Sequence, residues 1–190
     1  MKINIGKTEL IHFVGIGGIG MSGLALIMHS LGFRIQGSDI SDNKYLNNLR
    51  KRKIPIFLKH NKKNLKNCTV LVISSAIKKT NPEIRQAKKL NLPIYKRGEL
   101  LGHIVSLMKN IVVTGSHGKT TTTSILSNIL NYAKLDPTII NGGVLNSIGS
   151  SAKLGKSNWG IIESDESDGS FLQIPFNLSL IHISEPTRPY

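Results

Sequence analysis

A short apolar run, a glycine-rich loop and a helical pattern follow one another twice in this chain, and that repeat leaves few folds open. The first instance is Glu9 to Val14 (ELIHFV), then Gly15-Ile16-Gly17-Gly18-Ile19-Gly20, then a helical pattern from about Ile19 to Leu31 that stops at Gly32. The second is Asn110 to Thr114 (NIVVT), then Gly115-Ser116-His117-Gly118, then a helical pattern from Lys119 to Ala133. A strand that feeds a glycine turn and a helix opens a parallel βα unit, so the chain is expected to be α/β with parallel sheets. Further strands are expected at Phe33 to Gly37, Thr69 to Ile73, Pro93 to Tyr95, Trp159 to Ile162 and Leu178 to Ile181. Asn81-Pro82-Glu83 reads as a helix start, with Asn as cap, Pro in the first turn and an acid at the positive end. Another helix is expected from about Gly98 to Leu107. Two such openings imply two nucleotide-type domains, with the boundary near Met108-Lys109-Asn110.

The first loop matches G-x-G-x-x-G in its required context of strand before and helix after. Glycines there let backbone approach a diphosphate, and the helix start offers N–H donors and positive potential. Asp39 lies about 20 residues beyond the last glycine, where an acid that reads a ribose hydroxyl normally sits. Ser74 and Ser75 follow a strand that ends at Ile73, at the sheet edge where such folds bind ligands. On these residues alone, an NAD-dependent oxidoreductase remains open, as does a tight turn that holds no ligand.

The second loop, Val112-Val113-Thr114-Gly115-Ser116-His117-Gly118-Lys119-Thr120-Thr121, departs from the strict G-x-x-x-x-G-K-[ST] pattern at Val113. It keeps a Gly-Lys-Thr that closes the loop at a helix start. Backbone N–H groups there can cradle phosphates, a lysine can reach the outer phosphate oxygens, and a hydroxyl can hold Mg²⁺. Thr120 to Thr123 places four β-branched residues in the first turns of a helix, where they are mediocre formers. A demand other than helix stability is implied. Glu163, Asp165, Glu166 and Asp168 are four of the eleven acids in the chain, and they follow a strand. A carboxylate in that position holds Mg²⁺ opposite the loop hydroxyl in phosphate-transfer sites. His117 reads as a phosphate contact, and His12, His29, His60, His103 and His182 as structural or surface residues.

The net charge of +14 invites a nucleic-acid reading, but aromatic residues make up 5% and do not interleave with the lysines. A base-stacking platform is therefore not expected, and the charge reads as a basic solvated surface. One cysteine, Cys68, excludes an internal disulfide and a cysteine-rich zinc site. No run is long and apolar enough for a membrane span, and the N-terminus lacks a signal-peptide core. A cytoplasmic setting is expected.

Taken in order, IHFVGIGGIGMSGLA, GSD, VISSAI, NPEI, VVTGSHGKTTTT, LDPT, NGG and ESDESDGSF resemble the Mur ligase family, from about Leu10 to Pro175. The likeness is greatest to the branch that acts on UDP-N-acetylmuramate and L-alanine, although Ser116 stands where the family usually has Thr. The resemblance implies that residues 1–108 form a Rossmann-like domain that binds a UDP-sugar, and that 109–181 begin a P-loop ATPase domain. Gly15, Gly17, Gly18, Gly20 and Ser22 would lie near the substrate diphosphate, with Asp39, Ser74 and Ser75 lining the same pocket. Gly115, Ser116, His117, Gly118, Lys119, Thr120 and Thr121 would hold ATP. Lys119 would act on the β- and γ-phosphates, and Thr120 and Glu163 would hold Mg²⁺; Lys119 and Glu163 are thus the expected catalytic pair. The implied reaction activates the muramyl carboxylate as an acyl phosphate, which the amine of L-alanine then attacks. Residues 182–190 (HISEPTRPY) depart from the family pattern and are expected to be a foreign tail. By the same resemblance the chain is expected to be an inactive N-terminal fragment that lacks the amino-acid-binding domain. Three rivals stay open: the NAD-dependent oxidoreductase, a non-enzymatic nucleotide-binding module, and the family member that recycles a tripeptide onto the same sugar nucleotide.

Overall fold

The structure, a computed structural model, is described over residues 5–145, 150–164 and 176–182. Asp165, Glu166 and Asp168 of the acidic cluster lie outside these residues, as does the expected tail beyond His182. The chain divides into two compact units, Met1–Ile104 and Val105–Tyr190.

The first unit runs β1 (Leu10–Val14), α1 (Ile19–Ser30), β2 (Arg34–Ser38), α2 (Lys44–Lys51), β3 (Ile56–Phe57), a 3₁₀ turn (Lys62–Leu65), β4 (Val70–Ile73), α3 (Pro82–Lys89), β5 (Ile94–Lys96) and α4 (Arg97–Ser106). Its sheet has the order β3-β2-β1-β4-β5, and every pairing is parallel. From β1 the chain steps first to β2 on one side and later to β4 on the other. That reversal opens a crevice at the carboxyl end of β1, where this class of sheet binds its ligands. The loop Gly15–Gly18 leaves β1 at that point.

Apolar strands buried on both faces hold the sheet. Ile11, Phe13, Val14 and Leu71 are fully buried, as are Met21, Leu24, Ile27 and Met28 of α1, while Val14 and Leu71 pack with Leu65, Cys68, Ile84 and Ala87. Each such side chain adds about 1.5–3 kcal/mol of burial free energy. β2 passes close beneath the loop, where a Cβ on Gly37 would stand 2.7 Å from the Phe13 carbonyl oxygen.

A polar hub lies within this apolar unit. Glu83, at the start of α3, is fully buried. It accepts hydrogen bonds from Ser38 Oγ (2.6 Å), Asn64 Nδ2 (2.7 Å) and the Asn61 amide (3.2 Å). His60 Nδ1 lies 3.1 Å from its Oε2. Gln36 Nε2 donates to His12 Nδ1 at 3.1 Å, which leaves the His12 Nε2 proton facing Glu83. That last separation, 3.4 Å, is a close polar contact rather than a formed hydrogen bond. Burial alone would raise the Glu83 pKa, but the contacts with His12, Ser38 and Asn64 hold it down at about 2. The histidines read from sequence as structural include two, His12 and His60, that join this hub.

The second unit runs β6 (Lys109–Gly115), α5 (Lys119–Tyr132), β7 (Thr138–Leu145), β8 (Ser150–Lys153), β9 (Trp159–Glu163) and β10 (Leu178–His182). Its sheet has the order β10-β6-β9-β7-β8, parallel except for β8 against β7. Val113 of β6 pairs in register with Glu163 of β9, so the carboxylate ends its strand level with the start of the second glycine loop. Among the described residues, no helix is long and apolar enough to cross a membrane.

Candidate functional site

The first loop begins with Gly15 at φ +79°, a backbone shape that a side chain would strain. The amides of Gly15 and Ile16 both donate to the Ser38 carbonyl, at 2.8 and 3.0 Å. The Gly17 amide donates to Asp39 Oδ2 at 2.7 Å. Asn43 closes the arrangement from the far side. Its Nδ2 donates to the Gly17 carbonyl at 3.2 Å, while its Oδ1 caps α2 by accepting from the amides of Tyr45 and Leu46. Asp39 also accepts from the Ile40 amide at 2.8 Å through its other oxygen. Asp39 is thus an anchor of the loop as well as a residue of the crevice.

Gly18 caps α1, and Ser22 is the first residue to bond back to it, N to O at 2.9 Å. The Ser22 hydroxyl is turned onto the Ile19 carbonyl at 2.9 Å, and the residue is 3% exposed. In this structure Ser22 serves the helix. Ser74 stands beside the loop, since a Cβ on Gly15 would lie 3.2 Å from the Ser74 Cβ, whereas Ser75 is exposed at the crevice edge. At the other end of the loop, a Cβ on Gly20 would come within 3.0 Å of a guanidinium nitrogen of Arg97.

The second loop closes with Gly118 at φ +73°, the left-handed cap of α5. Gly115, at φ +135°, opens the loop. Lys119 Nζ donates to the Gly115 carbonyl at 2.6 Å, so the ammonium lies folded over the mouth of the loop. Thr120 Oγ1 donates to Glu163 Oε2 at 3.1 Å, and the Ser164 amide ties the end of β9 to the Val113 carbonyl at 3.0 Å. Ser116, His117, Thr120 and Thr121 are exposed at this edge, and Glu163 is half-buried. The structure therefore brings Lys119, Thr120 and Glu163 together around one glycine loop. The β-branched run is put to use lower in the helix, where Thr123 is fully buried and Thr120 stays at the surface.

Sequence reasoning did not pick out Arg97 or Asn43 as neighbours of the first loop, or Glu83 as the centre of a polar hub. Arg97 carried one usable signal, a basic residue directly after a strand, at the carboxyl edge of the sheet. Asn43 and Glu83 carried only helix-start signals, and their second roles depend on contacts far away in sequence. Cys68 is buried, and burial pushes its thiol up to about 11, so it is an unreactive core residue.

A Rossmann-like parallel sheet followed by a second strand–glycine-loop–helix unit defines an α/β chain with two glycine loops. The chain belongs to the Mur ligase family: residues 10–109 match the family described as "Mur ligase family, catalytic domain". It is 65% identical over 181 residues to the UDP-N-acetylmuramate–L-alanine ligase of Pelagibacter ubique, covering 95% of this chain and 39% of that protein. Among solved structures it resembles the UDP-N-acetylmuramate–alanine ligase of Thermotoga maritima, with a TM-score of 0.82 and 34% identity over 90% of this chain and 40% of that one. It also resembles the UDP-N-acetylmuramate:L-alanyl-γ-D-glutamyl-meso-diaminopimelate ligase of Neisseria meningitidis, with a TM-score of 0.84 and 28% identity over 93% of this chain and 61% of that one. The chain thus spans about two-fifths of the length of the curated relative it matches.

Proposed function

We propose that this chain carries the UDP-sugar loop and the ATP loop of a ligase that joins L-alanine to UDP-N-acetylmuramate in peptidoglycan precursor synthesis. The observation that carries this reading is the second loop. Lys119 and Thr120 at the start of α5 meet Glu163 at the end of β9 there, an arrangement that a hydride-transferring enzyme does not need. The NAD-dependent alternative is set aside on that ground. The 65% identity to an alanine-adding enzyme favours alanine as the amine, over the peptide named for the Neisseria protein.

In this reading residues 1–108 hold the sugar nucleotide at Gly15–Gly20, Asp39 and Ser74, and residues 109–181 hold ATP along Gly115–Thr121. The muramyl carboxylate takes the γ-phosphoryl group with release of ADP, and the alanine amine then displaces phosphate to form the amide. Activation is needed because a bare carboxylate is a poor acyl donor. Lys119 would leave the Gly115 carbonyl for the outer phosphates. Thr120 and Glu163 suit Mg²⁺, because a hydroxyl and a carboxylate oxygen 3.1 Å apart are hard donors of the kind this ion takes. Bound there, the ion would offset negative charge on the phosphate oxygens.

The test is Lys119→Ala in the chain itself. MgATP affinity should fall about 100-fold, as for loss of a charge-assisted phosphate contact. UDP-N-acetylmuramate affinity should stay within about twofold, well under 1 kcal/mol. Unchanged ATP affinity would remove the role given to Lys119, and joint loss of both ligands would refute the division of labour.

A further inference from the structure

We propose that Arg97 is the residue of the first unit that reads the diphosphate, and that Gly20 lacks a side chain so that the Arg97 guanidinium can lie against the loop. This rests on the reading of Gly15–Gly20 as the sugar-nucleotide loop. The four amides from Gly15 to Gly18 are committed within the protein, which leaves the start of α1 to supply N–H donors. Gly15 and Ile16 donate to the Ser38 carbonyl, Gly17 to Asp39, and Gly18 to the Gly15 carbonyl at 3.3 Å. Asp39 moreover brings a carboxylate onto the loop, half-buried, where it would repel an incoming diphosphate. A cation nearby would offset that repulsion and favour the anion.

Arg97 is such a cation. It is the first residue of α4, directly beyond β5, so the sheet delivers it to the same carboxyl edge as the loop. A Cβ on Gly20 would lie 3.0 Å from Arg97 Nη1, 3.4 Å from its Cδ and 3.7 Å from its Cζ. The outer stem and the guanidinium therefore run along the bare Cα of Gly20, half-buried rather than free in solvent. A guanidinium presents paired N–H donors that match two phosphate oxygens, which an ammonium cannot copy.

The experiment titrates the chain and its Arg97→Ala, Arg97→Lys and Gly20→Ala variants with UDP and with UDP-N-acetylmuramate, with a melting curve for each variant. Arg97→Ala should weaken both ligands by the same factor, about 10- to 100-fold, the usual range for a hydrogen bond to a charged group. Arg97→Lys should fall between wild type and Arg97→Ala, and Gly20→Ala should weaken both ligands by displacing the guanidinium. Should Arg97→Ala fail to fold, Arg97→Lys decides, with a loss of about tenfold expected from the missing fork. UDP affinity within about twofold of wild type in the folded Arg97 variants would overturn the proposal. So would a loss confined to UDP-N-acetylmuramate, which would move Arg97 to the sugar's carboxylate. A wild-type chain that binds neither ligand would overturn the sugar-nucleotide reading itself, a result distinct from the other two.

Discussion

At the scale of single residues, Glu83 shows how one buried charge organises a region. It draws together β1 through His12, β2 through Ser38, and the stretch after β3 through His60, Asn61 and Asn64. Removal of the carboxylate leaves several buried donors facing an apolar wall, so Glu83→Ala should cost about 3–5 kcal/mol of stability. Its pKa is held at about 2 against an ordinary 4.5. A depressed carboxylate contributes stability that is complete above its unfolded value and is lost as pH falls through its folded value. The chain should therefore lose about 3 kcal/mol between roughly pH 5 and pH 2. Glu83→Gln, already without the charge, should lose correspondingly less over the same range. Denaturant midpoints measured at intervals across that range check this, and parallel slopes for wild type and variant would count against the hub.

At the scale of elements, α2 ties helix formation to the geometry of the first loop. This helix has eight residues, of which Leu46 and Leu49 are buried, so its cap carries unusual weight. Asn43 supplies the cap with one side-chain atom and holds the Gly17 carbonyl with the other. Asn43→Ala should cost about 1 kcal/mol, typical for a lost cap. It should also weaken UDP-N-acetylmuramate, because the loop loses a brace. Asn43→Asp should restore the cap and not the bond to Gly17, so stability would recover without the affinity. Recovery of both would show that the brace is idle.

The same elements show what could be read in the sequence. The strands that feed the two glycine loops, and the helices that leave them, follow from apolar runs broken by glycine, and all four are present. The helix α2 was missed because KYLNNLRK offers two apolar positions and no sustained period. β3, two residues long, is shorter than any pattern can mark. β7 carries Asn141-Gly142-Gly143 inside its run, and that is a turn signal by composition. Of the candidate site, the meeting of Lys119, Thr120 and Glu163 at one loop was legible because local motif and strand end place them there. Arg97 and Asn43 were not, since what matters is which loop they meet after folding, and only tertiary contact fixes that.

At the scale of the whole molecule, the proposed function gives each of the two compact units a phosphate-bearing ligand on its own glycine loop. Each ligand should then protect its own unit. Saturation with UDP-N-acetylmuramate at about 100 times its Kd should stabilise residues 1–104 by about 2.7 kcal/mol. MgATP should do the same for the second unit. Hydrogen exchange should show slowed amides near Gly15–Ser22 with the first ligand and near Gly115–Thr123 with the second. Protection of both regions by either ligand alone would contradict independent sites.

The first unit is proposed to take a sugar nucleotide although its loop has the form that also serves NAD. Titration of the chain with UDP-N-acetylmuramate and with NAD, side by side by calorimetry, tests this most directly. Saturable binding of UDP-N-acetylmuramate and no detectable heat with NAD are expected. Tight NAD binding with none of the sugar nucleotide would contradict the proposal.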